Sequence, residues 1–208
     1  MKGRSLVGLM VSLVVLGAGS LPVLAQSQRY PTVTQMQRLR QEFRQFIRLT
    51  QTDQVGANYI LDRRTQAERQ NRESFVRAWL NIEPEAAPFF GSWSGFEEIR
   101  HIYPSNVRGR VCVITTGEGY GSVSLGFVSN RQIRTNNGEV IFKEGNYLGV
   151  ARLDNNKPVI TLEIPLNSPR PLETTTQLRE FIIEVQDKNR VVQQFNAAGC
   201  TASRPTRR

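Results

Sequence analysis

From residue 88 onward the apolar residues of this chain recur every second position, and that period constrains the fold more than any other feature. Val123, Leu125 and Phe127 alternate with Ser122, Ser124 and Gly126, and Ile160, Leu162 and Ile164 alternate with Thr161 and Glu163. Phe181, Ile183 and Val185 form a similar set, whereas Val111 to Ile114 and Tyr147 to Leu153 are more continuously apolar. A period of two places successive side chains on opposite faces of a strand. Turn signals separate these runs at Gly117 to Gly121, Ser129-Asn130, Asn136-Asn137-Gly138, Glu144-Gly145-Asn146, Asp154-Asn155-Asn156 and Asp187-Lys188-Asn189. Gaps of about 8 to 12 residues indicate an antiparallel meander rather than βαβ units. About eight or nine strands suffice for a small barrel or a two-sheet sandwich. Residues 166 to 176, with Pro169 and Pro171, are expected to form the one long connection.

The residues before Pro84 follow the helical period instead. Met36, Leu39, Phe43, Phe46, Ile47 and Thr50 recur at three- and four-residue steps, with Thr34 as the expected N-cap and Gly56 as an interruption. A second helix is expected from Asp62 to Leu80, with Phe75, Val76, Trp79 and Leu80 as its apolar stripe. Its Arg and Glu residues fall at four-residue spacing and can neutralise one another on the solvated face. The expected fold class is therefore α+β: an N-terminal helical hairpin, then the β meander.

Lys2 and Arg4, the apolar run Leu6 to Leu16, the breakers Gly17, Gly19 and Pro22, and small residues before Gln26 predict a cleavable signal peptide over residues 1–25. The alternative is an uncleaved anchor, because Ser5 to Ala25 is about long enough to span a bilayer. The polar Gln26-Ser27-Gln28-Arg29 favours cleavage. The expected division is signal peptide 1–25, helical segment 26–84, antiparallel β domain 85–200 and a disordered basic tail 201–208. Export leads to the periplasm, a photosynthetic lumen or the medium, where disulfides persist, so Cys112 and Cys200 are expected to be bonded, two buried free thiols being the alternative.

The net charge of +9 becomes +7 without Lys2 and Arg4. Residues 26–84 hold ten Arg against six acids, whereas the excess of residues 85–208 equals the contribution of Arg204, Arg207 and Arg208. Arg40, Arg44 and Arg48 form one row on the first helix, with Arg38 nearby and only Glu42 to offset them. Such a row can meet an anionic membrane surface, an acidic polysaccharide or an acidic protein. Export disfavours nucleic acid. The plainer alternative is the solvated face of a helix packed on the β domain.

Catalytic chemistry has no positive support. His101 is the only histidine, which rules out a histidine-rich metal site, and no serine stands in a Gly-x-Ser-x-Gly elbow. Gly117-Glu118-Gly119-Tyr120-Gly121 is followed by an alternating strand, whereas a phosphate cradle needs a helix N-terminus there. Glu97, Glu98, Glu118, Glu144, Glu163 and Glu184 are scattered among the strands, with no pairing that spacing dictates. Neither a cofactor nor a metal is expected.

Phe89-Phe90-Gly91-Ser92-Trp93-Ser94-Gly95 opens the β region, with Tyr103-Pro104 further on. This Gly-x-Trp at the first strand of a meander resembles the calycin superfamily of lipocalin-like and nitrobindin-like barrels. The resemblance implies that Trp93 plugs one end of the barrel. Haem does not carry over, because no C-terminal histidine is present to ligate it. In such a barrel the expected inward set is Val123, Leu125, Phe127, Phe142, Tyr147, Ile160, Leu162, Phe181 and Ile183.

The leading expectation is a non-catalytic exported binding or accessory protein that contacts an anionic or acidic partner through Arg38, Arg40, Arg44 and Arg48. The second is a calycin-like carrier of a small apolar ligand in the barrel interior, and the third a hydrolase whose site the sequence does not reveal.

Overall fold

The computed structural model describes residues 29–95, 97–117, 120–167 and 185–205, so the expected signal peptide lies outside the described residues. Three helices come first: α1 (Val33–Thr52), α2 (Gln54–Tyr59) and α3 (Gln66–Leu80). After a 3-10 turn at Ala87–Phe89 follow β1 (Gly91–Ser94), β2 (Glu98–Pro104), β3 (Arg110–Gly117), β4 (Tyr120–Ser129), β5 (Gln132–Thr135), β6 (Val140–Glu144), β7 (Tyr147–Asp154) and β8 (Lys157–Pro165). A last helix, α4, spans Val185–Ala197. Each strand pairs antiparallel with the next, and β8 returns to β1, so the meander is a closed barrel rather than a sandwich.

Local chemistry sets the element boundaries. Thr32 and Gln35 form a reciprocal capping box at the start of α1, two residues before the expected cap, and Thr65 and Glu68 do the same for α3. Asp53 ends α1 and caps α2 by accepting a hydrogen bond from the Gly56 N–H, so the break falls at Asp53 rather than at Gly56. Asn130 and Arg131 (φ 53° and 55°) and Asn155 and Asn156 (φ 49° and 62°) adopt the left-handed conformation that two-residue hairpin turns require.

The expected inward face is the outward one. Register pairs Val111 with Gly126, Val113 with Ser124 and Thr115 with Ser122, and these point into the barrel. Val123 and Leu125 point outward and pack beneath α4 with Ile114, Val191 and Phe195, while Phe127 is 54 % exposed. Phe142, Tyr147, Ile160 and Leu162 likewise line the outer wall, where Met36, Leu39 and Phe43 of α1 cover them. Helices on the outside make the outer positions apolar, and a one-residue shift exchanges the two sets. Phe181 and Ile183 lie outside the described residues. Small inward residues are needed because the barrel is narrow: a Cβ on Gly126 would collide with Val111 and Ile133.

Trp93, Ile102, Val111, Val113, Ile133, Ile141, Leu148 and Val150 fill the interior and continue into Phe75 and Trp79 of α3 and Phe89 and Phe90 of the 3-10 turn. α3 therefore sits across one end of the barrel while α1 lies on its wall. Two further segments depart from expectation. Val185, read as strand, and Asp187-Lys188-Asn189, read as a turn, belong to the helix Val185–Ala197. The chain after Cys200 is held down as far as Arg204: Trp79 Nε1 donates to the Ser203 carbonyl at 3.2 Å and Arg204 to Ser74 Oγ at 2.7 Å.

Cys112 and Cys200 form the expected disulfide, with Cα atoms 6.1 Å apart, within the ordinary range. The Ser105–Cys200 bridge and the Ser105 hydroxyl, which donates to the Ala198 carbonyl, fix the same junction. The bonded pair is compatible with an exported protein. Among the described residues no helix is long and apolar enough to cross a membrane.

Candidate functional site: a buried charge cluster and the outward face of α1

β1 is four residues long, and it meets β8 through two residue pairs, Trp93–Pro165 and Ser94–Ile164. Ser92 continues the junction with a reciprocal pair of backbone hydrogen bonds, donating to the Asn167 carbonyl and accepting from the Leu166 N–H, both at 2.8 Å, and side chains reinforce it. Arg100 of β2 is fully buried and spreads its guanidinium among three carboxylates: Nε donates to Glu163 Oε1 at 2.9 Å, Nη1 to Glu139 Oε2 at 2.9 Å, and Nη2 lies 3.5 Å from Glu98 Oε2. Nη1 also donates to Thr115 Oγ1 at 2.8 Å. One side chain thus links β2, β3, the entrance to β6 and β8, and the Arg100–Glu163 pair bridges β2 to β8 where β1 is too short to do so. Glu98 and Glu163 were visible in the sequence only as scattered acids, and Glu139 and Arg100 carried no local signal.

One positive charge faces three negative ones, and the cluster resolves part of this excess by protonation. Burial holds the Glu163 carboxyl above the usual range despite the nearby Arg100, and its Oε2 has no hydrogen-bond partner. Desolvation lowers the Arg100 pKa, but the carboxylates more than offset it, led by Glu163 and Glu139, so the guanidinium stays charged. A carboxyl raised on folding binds its proton more tightly in the native state. Its stabilisation is complete below the unfolded Glu value of about 4.3 and is lost as pH rises through the folded value. The stability of the native chain relative to Glu163→Gln should therefore fall across that window, as urea midpoints over a pH series would show. A flat difference would mean that Glu163 is ionised throughout.

This cluster suits clasping better than catalysis. Arg100 and Glu163 are closed to solvent, so no substrate group can reach them. The same holds for the serine–histidine contact that the fold creates: Ser92 Oγ and His101 Nδ1 are 2.8 Å apart on the outer faces of β1 and β2, but Ser92 is 5 % exposed and sits in regular strand. A nucleophile needs an approach that this hydroxyl lacks. Among the described residues no group of three or more potential ligands is placed to hold a metal ion.

Trp93, the expected plug, is fully buried at the end that α3 caps. Its indole N–H donates to the Phe89 carbonyl at 2.8 Å, and the Arg72 guanidinium lies 4.1 Å above its ring.

The arginine row is more occupied than its spacing suggested. Arg38 pairs with Glu42 at 2.7 Å. Arg44 and Arg40 both lean on Glu144 of β6, at 3.1 and 3.9 Å, and Arg40 also lies 4.0 Å over the Phe142 ring and donates to Gln132. Burial lowers the Arg40 pKa. Arg38, Arg44 and Arg48 nevertheless remain on the exposed side of α1. Phe46, assigned by the helical period to the packed stripe, is instead 52 % exposed, and Leu49 is 59 % exposed; both lie on the α2 side of the exposed arc, about 100–160° around the helix from Arg44 and Arg48. Phe46 and Leu49 flank a groove of ≈ 840 Å³ between α1, α2 and β8, whose apolar walls include Phe43, Ile60, Ile160 and Leu162.

No protein-family model, curated protein or solved structure matches the chain.

Proposed function

We propose that this is an exported, non-catalytic accessory protein that docks on an anionic membrane surface through the outward face of α1. The observation that carries the reading is the mixed character of the exposed arc of α1: Phe46 and Leu49, both more than half exposed, occupy its edge toward α2, and Arg44 and Arg48 the opposite edge, with Arg38 on the same arc. A helix lying in the lipid interface needs apolar side chains for the acyl boundary and basic ones for the headgroups. The opposite side of α1, through Met36, Leu39 and Phe43, is anchored to a closed barrel, so the face is presented rigidly. The signal-peptide pattern and the disulfide support export, whether to a periplasm, a photosynthetic lumen or the cell exterior.

The test is cosedimentation of residues 26–208 with phosphatidylglycerol-rich and with pure phosphatidylcholine vesicles at low and high salt. Binding should require the anionic lipid and weaken with salt. At about 1 kcal/mol per basic residue near the surface, Arg44→Gln with Arg48→Gln should lower partitioning roughly 30-fold. Phe46→Asp with Leu49→Asp should abolish it. Absence of salt-sensitive binding would rule out the lipid surface, and binding instead to an acidic polysaccharide or protein would replace it as the partner.

The groove beside α1 favours a second reading, a carrier of a small apolar ligand. The calycin resemblance would then describe the barrel but not the site, because the inward positions hold packed side chains and the groove lies outside the wall. Native mass spectrometry of protein from its own host should then show a bound mass, and an empty groove would remove this reading.

A further inference from the structure

At the end of the barrel that α3 caps, two cations share one indole, and among the described residues neither has a carboxylate within ion-pair distance. Arg72 of α3 is 9 % exposed, with its guanidinium 4.1 Å over the Trp93 ring. Lys143, inward on β6, brings its ammonium within 5.5 Å of the same ring. Arg72 Nε and Nη2 are buried and have no hydrogen-bond partner among the described residues. Among the described residues no carboxylate pairs with Arg72 or Lys143; Glu83, the buried acid nearby in sequence, is committed to the Gly109 N–H.

Buried charge without a partner is costly, and a buried donor left unmade costs about 1–3 kcal/mol on its own. Burial and then the positive charge of Arg64, offset in part by Asp62, bring Arg72 down to about 10, and burial, Arg72 and Arg64 bring Lys143 down to about 8. Stacking on Trp93 compensates one face of the guanidinium but leaves its edge open. That edge matters, because Nε–H and Nη2–H together form one fork of the guanidinium and match two oxygens of a carboxylate or phosphate. Gly91 adjoins the fork, and a Cβ there would lie 2.5 Å from Nε. Asn167 closes the same corner, with a buried Oδ1 that also lacks a partner. An adjacent groove of ≈ 470 Å³, lined by Arg63, Arg64, Glu68, Ser94 and Asn167, gives an approach on which two arginines face one acid.

We propose that Arg72 and Lys143 form a buried receptor for a single small oxyanion, a phosphate or carboxylate group, held by the Arg72 fork against Trp93. Such an anion would supply the missing acceptor and counter-charge at once, and it makes no use of α1.

The experiment titrates residues 26–208 with sodium phosphate and, separately, with sodium acetate at constant ionic strength, reading tryptophan fluorescence and thermal midpoint. A saturable change with either anion is expected, and sodium chloride should give none. Phosphate alone would identify a phosphate receptor, and acetate alone or both anions a receptor that accepts carboxylates. Lys143→Met, which removes one cation from the pair, should weaken the response about tenfold, roughly 1.4 kcal/mol, and Arg72→Gln should eliminate it. If Arg72→Gln does not fold, Lys143→Met decides alone. No saturable response to either anion, or one that Lys143→Met leaves unchanged, would overturn the proposal.

Discussion

Arg100→Met is expected to destabilise the protein by about 3–5 kcal/mol, the cost of removing one member of a buried charged group and leaving the others uncompensated. Met keeps the aliphatic stem of Arg but not its guanidinium, so the loss is chiefly electrostatic: Glu163 and Glu139 stay inside the barrel without the cation between them. The structural consequence should be local. β8 meets β1 through two residue pairs and the Ser92 backbone bonds to Leu166 and Asn167, so losing the Arg100–Glu163 bridge weakens a short seam between β1 and β8. Replacing the set together, Arg100→Met with Glu163→Leu and Glu139→Gln, should recover much of the loss, because an apolar cluster has no charge to bury. Urea unfolding of the three proteins decides this. A single variant as stable as the parent would mean that the cluster carries no net charge burden.

Breaking Cys112–Cys200 should cost about 4.5 kcal/mol in the chain-entropy picture for a loop of this length, the cysteines standing 88 residues apart. Packing adds to the effect. Cys112 is fully buried beneath α4 among Tyr103, Ile114, Val191 and Phe195, and Cys200 follows directly on the turn that ends that helix. Reduction, or Cys112→Ser with Cys200→Ser, should lower the thermal midpoint and first release α4 and the chain after it. Thiol titration of the unfolded, unreduced protein should find no free thiol, and two after reduction. Two thiols before reduction would contradict the disulfide.

Much of this architecture was legible in the sequence because it rests on local chemistry. Turns at Asn130, Gly138, Gly145 and Asn155-Asn156 fall where Asn and Gly relieve the left-handed backbone, and the change from helical to alternating period marks the entry to the barrel. Legibility fails where a second layer acts. Val123 and Leu125 look like core residues and are, but of the layer beneath α4, and Ile160 and Leu162 belong to the layer beneath α1. α4 itself was hidden because Asp187-Lys188-Asn189 resembles a turn, although Val191, Val192 and Phe195 follow the helical step. The charge cluster could not be read at all: Arg100 meets acids 39 and 63 residues away, which only barrel closure brings together. For α1 the spacing gave the arginine row, but not Glu144, which draws two of its members onto the wall, nor the exposure of Phe46 and Leu49.

These two exposed residues and their arginine neighbours can be tested in place. Hydrogen exchange of the protein bound to phosphatidylglycerol vesicles, compared with the free protein, is predicted to gain protection in α1 and α2, with β2, β3 and α4 unchanged. Protection confined to another surface, or none on any, would contradict docking through α1.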